Sequence, residues 1–194
     1  ARARELLENA NIYTDDNEAT EEASPSAFLY SFSILTVDQP EITRIAQEIA
    51  TQWSQLGLDV TVESLPFADY QMRIEAGEFQ AAIVELPLSI DPDVYAYWHS
   101  SQYPDGLNYG GVADSRIDEI LERGRRDNNG LNRDQLYQEF QQNFVSRAIA
   151  IPLYYPLFTY AVRDDVRGVQ LGFIGTLADR FRTIQEWQHN AEGL

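Results

Sequence analysis

Between Pro40 and Leu86 the hydrophobic pattern changes period three times. Ile42, Ile45, Ala46, Ile49 and Trp53 recur at the spacing that lines one face of a helix. Gly57 follows, a residue that accepts the positive φ needed just past a helix end. Leu58, Val60 and Val62 then alternate with Asp59, Thr61 and Glu63, the period of a strand. A second helix is predicted from Phe67 to about Ala76, closed by Gly77. Ala81 to Leu86 is a nearly continuous apolar run and predicts a strand buried on both faces. Helix, strand, helix, strand with short connections is the signature of an α/β fold, a mostly parallel sheet with helices on both faces. Such sheets bind ligands beyond the carboxyl ends of their strands. That directs attention to the residues that follow Leu86.

The flanking chain adds elements to this centre. Phe28 to Leu35 (FLYSFSIL) predicts the first strand, and Tyr13 to Ser26, acidic and polar with a proline, predicts a surface connection. Pro87 to Val112 is a long stretch rich in Pro, Gly, Ser and Tyr, and a loop of that length in a compact domain is usually functional. Asp114 and Ser115 predict the cap of a helix running to about Arg125. Asn128, Asn129 and Gly130 predict a turn, with Asn132 opening a helix to about Arg147 whose Leu136, Phe140, Phe144 and Val145 face inward. Ile149–Tyr154 and Phe158–Arg163 predict two strands separated by Pro156, while Gln170–Leu194 shows no dominant period.

Composition narrows the function classes. The formal net charge is −17, from 31 acidic and 14 basic residues, and every basic residue is arginine. That balance argues against nucleic acid and anionic membrane surfaces, whose binding rests on phosphate neutralisation. The chain contains no cysteine, which removes disulfides, thiolate catalysis and Cys-based zinc sites. No run reaches the ~18 apolar residues of a membrane span. The abrupt start, ARARELL, without Met or a charged-then-apolar leader, fits an exported protein whose leader lies elsewhere.

Candidate chemistry is sparse. The two histidines, His99 and His189, have no carboxylate at metal-site spacing, and Asp91, Asp93 and Asp105 lack the ligand order of a calcium loop, so no metal or cofactor is expected. Asp91 before Pro92 reads as a helix start. Arg123, Arg125 and Arg126 read as the basic end of a helix. Neither a nucleophile elbow nor a phosphate-cradling glycine loop is present, which points to a binding module rather than an enzyme. Tyr95, Tyr97 and Trp98 have two readings, core packing or the aromatic lining of a cleft.

From Leu86 to Arg123 the chain reads LPLSIDPDVYAYWHSSQYPDGLNYGGVADSRIDEILER. An acidic-Pro pair, a Gly106–Asn108–Tyr109 segment and an aspartate opening a helix resemble extracellular solute-binding proteins of the peptide and nickel type, the ligand-capturing subunits of ABC importers. ARELLENA (Ala3–Ala10), Ile42–Val62, LYQEFQQNFVSRAIAIPLYY (Leu136–Tyr155) and FTYAVRDDVRG (Phe158–Gly168) agree with that family in order and spacing. The resemblance implies one lobe of a type II periplasmic-binding-protein fold. Residues 1–26 would be an opening helix and acidic connection, 27–168 the ligand-binding lobe, and 169–194 an exit segment toward a second lobe or hinge. It implies capture of a peptide, oligosaccharide or related solute by Glu85, Leu88, Ser89, Trp98, Asn108 and Tyr109. It further implies a monomer outside the cytoplasm, in the periplasm or as a cell-surface lipoprotein, that docks on an ABC permease and does not itself span the membrane. A ligand-sensing domain of a transcriptional regulator built on the same fold is the alternative.

One departure bears on the solute. Peptide binders of this family place an aspartate for the peptide ammonium where this chain has Leu88, and some place an arginine for the peptide carboxylate where it has Ala82. A register shift of a residue or two would let Asp91 serve instead. As aligned, neither Leu88 nor Ala82 supplies a charge-assisted contact. An uncharged or cationic ligand, or a longer peptide held by its backbone, gains weight over a short zwitterionic peptide.

Overall fold

A computed structural model describes residues 2–10, 30–89, 91–157, 159–172 and 174–189. The chain divides into two compact units, 1–85 and 86–194, a boundary that falls inside the 27–168 segment read from sequence as one lobe. The acidic connection Tyr13–Ser26 lies outside the described residues.

In the first unit, helix α1 spans Arg2–Asn9, and a three-stranded sheet follows, built from β1 (Tyr30–Val37), β2 (Leu58–Leu65) and β3 (Ala81–Ala82). The strand order is β2-β1-β3 and both pairings are parallel. Register runs from Tyr30 opposite Leu58 to Val37 opposite Leu65. Helix α2 (Pro40–Ser54) carries Pro40 in its first turn, where a missing N–H costs nothing. Gly57 closes its exit at φ 93°, as the pattern predicts. Helix α3 (Phe67–Glu75) ends likewise at Gly77, φ 68°. Ile34 and Leu35, neighbours on β1 and therefore on opposite faces, are both buried, so both faces of the sheet are covered there. Leu35 is fully enclosed, and its truncation to alanine should cost about 2–5 kcal/mol.

The predicted buried strand Ala81–Leu86 is corrected. Only Ala81 and Ala82 pair, opposite Ile34 and Leu35, and the chain from Val84 to Glu85 is exposed. Among the described residues β3 is an edge strand with β1 on one side, and beyond Ala82 the chain leaves the ladder.

In the second unit, helix α4 is short (Tyr95–Trp98) and a 3-10 turn covers Ser100–Gln102. The predicted start at Asp91-Pro92 is displaced. Asp91 Oδ1 accepts the Asp93 N–H at 2.9 Å and Asp93 Oδ1 accepts the Tyr95 N–H at 3.0 Å, two side-chain turns leading into α4. Helix α5 (Ser115–Arg126) is capped by Asp114, whose carboxylate accepts from the Arg116 and Ile117 amides. Helix α6 (Gly130–Ser146) begins two residues before Asn132 because Asn129 caps it, accepting the Leu131 N–H. The two helices pack through Ile117, Ile120, Leu121, Leu136, Tyr137, Phe140 and Phe144. Val145 does not join them and is 69% exposed. One position past Phe144, it points about 100° round the helix.

The predicted strands from Ile149 to Tyr154 and from Phe158 to Arg163 do not form, and Phe158 itself lies outside the described residues. Pro152 withholds a ladder donor from the first, and residues 151–157 are exposed coil. Further on, β4 (Val166–Arg167) pairs antiparallel with β5 (Gln188–His189), with 3-10 turns at Leu177–Phe181 and Ile184–Glu186 between them.

Candidate functional site

The chain leaves the sheet at the carboxyl end of β3. The Ile83 N–H donates to the Leu35 carbonyl at 2.9 Å, and the Tyr70 hydroxyl donates to the Ile83 carbonyl at 2.9 Å. Beyond that point, among the described residues, the amides of Val84, Glu85, Leu86 and Leu88 find no acceptor. Glu85, Leu88 and Ser89 are exposed, Glu85 closing the first unit and the others lying in the second. Pro87 is anchored through its carbonyl by the Tyr97 hydroxyl at 2.7 Å, and Ser89 Oγ donates to the Asp91 carbonyl at 2.9 Å.

Asn108 stands differently from its expected role. Its side chain is 1% exposed. Nδ2 donates to the carbonyls of His99 (3.1 Å) and Val112 (2.8 Å), and Oδ1 accepts the Val112 N–H at 3.0 Å. Both amide protons and the oxygen serve the loop itself, so the geometry makes Asn108 the brace of the segment from His99 to Val112 rather than a group presented to a ligand. Tyr109, next to it, is half-buried. Trp98 is also half-buried and meets Phe144 edge-on, ring centroids 4.8 Å apart at 74°. Its ring thus packs on α6, the core reading of the Tyr95–Tyr97–Trp98 set.

Asp91 is committed as well. Its Oδ1 lies 2.5 Å from Arg133 Nη2, and that guanidinium holds the carboxyl below its ordinary range against the opposing effect of burial. The charge that a shifted register would offer to a peptide ammonium is already neutralised. Arg125 pairs with Asp93 at 2.7 Å and Arg126 with Glu122 at 2.7 Å, so the basic end of α5 is spent locally. Among the described residues there is no cluster of three or more His, Asp and Glu suited to a metal ion.

Two features were not legible in the sequence. His99, read there as a loop or partly buried imidazole, is 6% exposed, with its Nδ1 2.8 Å from Ser101 Oγ, its ring stacked on Tyr95 and its Nε2 3.5 Å from Glu122 of α5. No periodicity marks such a residue. The first unit also carries an open polar groove on its sheet, lined by Ser31, Ser33, Asp59, Thr61, Glu63 and Gln80. Glu63 there is held below its usual carboxylate range by hydrogen bonds from Ser33 and from Arg73.

Comparison with known proteins places this geometry. A binding protein of Brucella melitensis is 24% identical over 168 residues, 84% of this chain and 27% of that protein. The chain therefore spans about a quarter of that relative's length. The oligopeptide-binding protein AppA from Bacillus subtilis, solved in complex with a nonapeptide, superposes with TM-score 0.71 at 18% identity, covering 97% of this chain and 37% of AppA. NikZ from Campylobacter jejuni, in complex with Ni(L-His), superposes at TM-score 0.66 and 19% identity, over 96% and 38% of the two chains. These likenesses confirm the type II periplasmic-binding fold expected from sequence. Residues 1–108 match the bacterial extracellular solute-binding proteins, family 5 Middle, and the chain belongs to that family.

Proposed function

We propose that this chain forms one wall of the solute site in the binding protein of an ABC importer, and that the solute is a peptide gripped mainly by its backbone. The observation that carries the reading is the run where the chain leaves β3, in which the amides of Val84, Glu85, Leu86 and Leu88 find no acceptor among the described residues. An extended peptide adds to such a run through main-chain hydrogen bonds, which are indifferent to side-chain identity. Leu88, Ser89 and Tyr109 are the proposed neighbouring contacts, with Glu85 on the same run. Asn108 braces the segment from His99 to Val112, and Trp98 packs on Phe144. Closure of a second lobe over the peptide would bury it and create the form that docks on a permease outside the cytoplasm. The family is one of solute binders rather than catalysts, and among the described residues no helix is long and apolar enough to cross a membrane. The regulator alternative gains no support from the relatives described above, which are binding proteins.

The termini of the peptide separate backbone capture from ion-pair capture. With Leu88 in place of a carboxylate and Asp91 paired with Arg133, neither of these two positions offers a free anion to an ammonium group. Calorimetry on the full-length protein with peptides of about three to nine residues, free or blocked at both ends, should show Kd changing less than ~10-fold on blocking. A loss above ~100-fold on blocking would overturn backbone capture. Leu88→Asp should tighten binding of peptides with a free amino terminus by roughly 10-fold, through one charge-assisted contact, and leave acetylated peptides unchanged.

A further inference from the structure

His99 is buried in the loop that Asn108 braces, and its two ring nitrogens have unlike surroundings. Nδ1 accepts the Ser101 N–H at 3.1 Å, capping the Ser100–Gln102 turn, and lies 2.8 Å from Ser101 Oγ. A nitrogen that accepts a backbone N–H carries no proton, so the proton of the neutral ring sits on Nε2. Nε2 is buried and has no hydrogen-bond partner among the described residues. Two carboxylate oxygens approach it, Glu122 Oε1 at 3.5 Å and Asp118 Oδ1 at 3.8 Å.

The titratable and charged groups around the ring come from three segments. On α5, Asp118 is occupied by Ser100, accepting its N–H at 2.8 Å and its hydroxyl at 2.5 Å. Glu122 is held by Arg126 through its other oxygen, at 2.7 Å. On α4, Tyr95 stacks flat on the imidazole, centroids 4.0 Å apart at 16°, and carries the Arg125 guanidinium over its ring at 3.9 Å. From the segment before α4, Asp93 pairs with that Arg125.

We propose that His99 is a proton-operated latch on the segment from His99 to Val112: neutral, it caps the Ser100–Gln102 turn, and protonated, it releases the Ser101 N–H and draws Glu122 onto Nε2. The first half follows from valence, because an imidazolium nitrogen cannot accept. The second follows from charge, because an imidazolium beside two carboxylates attracts the one less engaged by hydrogen bonds. Release reaches further along the loop. The Gln102 carbonyl, at the end of the capped turn, accepts the amides of Gly106 (3.1 Å) and Asn108 (3.3 Å). The His99 carbonyl also accepts the Asn108 side chain. The latch is independent of what the protein binds.

The test is an NMR titration of the full-length protein from pH 8 to pH 5, following the His99 ring nitrogens by histidine-selective ¹⁵N labelling and the Ser101 amide by hydrogen exchange. The latch requires the Nε2–H tautomer at pH 8. It also requires Ser101 protection, corrected for intrinsic exchange, to fall roughly five-fold with the same midpoint as the ring, the loss of about one hydrogen bond. His99→Asn keeps a side-chain oxygen that can cap the turn but cannot titrate, and should hold Ser101 protection constant across the range. Glu122→Gln should move the ring midpoint to lower pH, since it removes a carboxylate that favours the charged ring. An Nδ1–H tautomer at pH 8, a ring that stays neutral to pH 5, or Ser101 protection that ignores the ring would each overturn the latch. These readouts on the unmodified protein decide the matter even if a variant fails to fold.

Discussion

At the scale of single residues, Asn108 shows how one position can suit two roles. Its position between Gly106 and Gly110 suits either a ligand-facing amide or a turn. Burial decides: at 1% exposure, with both amide protons and the oxygen bonded to loop backbone, it is structural. Asn108→Ala would leave the buried carbonyls of His99 and Val112 and the Val112 amide without those partners. A loss of about 1–3 kcal/mol in denaturant-derived stability is expected. An unchanged unfolding midpoint with weakened peptide binding would restore the ligand-facing role. Val145 teaches a related lesson. It is as apolar as Phe144, but a single step turns it off the face that packs on α5.

At the scale of elements, caps and stops are the features most readable in advance. Asp114, Gly57 and Gly77 all act as their residue types dictate. Asp179 is a cap that sequence patterning passes over, because the turn it organises, Leu177–Phe181, is too short for a period. Its carboxylate accepts the Thr176 N–H at 2.7 Å and the Gly175 N–H at 3.0 Å and pairs with Arg182 at 2.8 Å. The Arg182 hydrogen bond, then those amides, lower its pKa from 3.8 to about 2. A depressed carboxyl contributes stability above its unfolded pKa and loses it as pH falls through the folded one. Protection of the Gly175 and Thr176 amides, measured by exchange, should therefore persist at pH 5 and decay between about pH 4 and pH 2. Asp179→Asn should remove that dependence. Decay already complete at pH 5 would show that the cap does not form.

At the scale of the whole molecule, the chain spans 27% of its Brucella relative, and the proposed two-lobed capture would draw its second enclosing surface from beyond residues 1–194. Pockets normally bury ~70–90% of a ligand. A micromolar site is worth about −8 kcal/mol, and halving its contacts leaves a millimolar one or weaker. Calorimetry with one peptide should accordingly give residues 1–194 an affinity at least ~100-fold below that of the full-length protein. Comparable affinities would mean that this chain holds a complete site, and two-lobed capture would be abandoned. The charge of −17, all of its cations arginine, does not alter that expectation. Paired arginines such as Arg116, Arg125 and Arg133 are spent on neighbouring carboxylates.

The sequence alone determined what depends on neighbours within a few positions. The period of Ile42–Trp53, the alternation of Leu58–Glu63 and the glycines that end each helix specify α2, β2 and α3 because side-chain direction repeats with backbone geometry. The ordered motifs also carried the family, which the match over residues 1–108 establishes. Tertiary structure decided what depends on distant partners. Whether Ala81–Leu86 is a buried strand turns on what pairs with and covers it, and among the described residues only Ala81 and Ala82 pair, with β1. Whether Ile149–Tyr154 is a strand turns on a pairing edge that local composition cannot supply. Whether Asp91 is a free charge turns on Arg133, 42 positions away. Whether His99 is a bystander or the hub of a loop turns on Asp118 and Glu122, a helix away. Burial and electrostatics are set by atoms brought together only when the chain folds, and no local pattern encodes them.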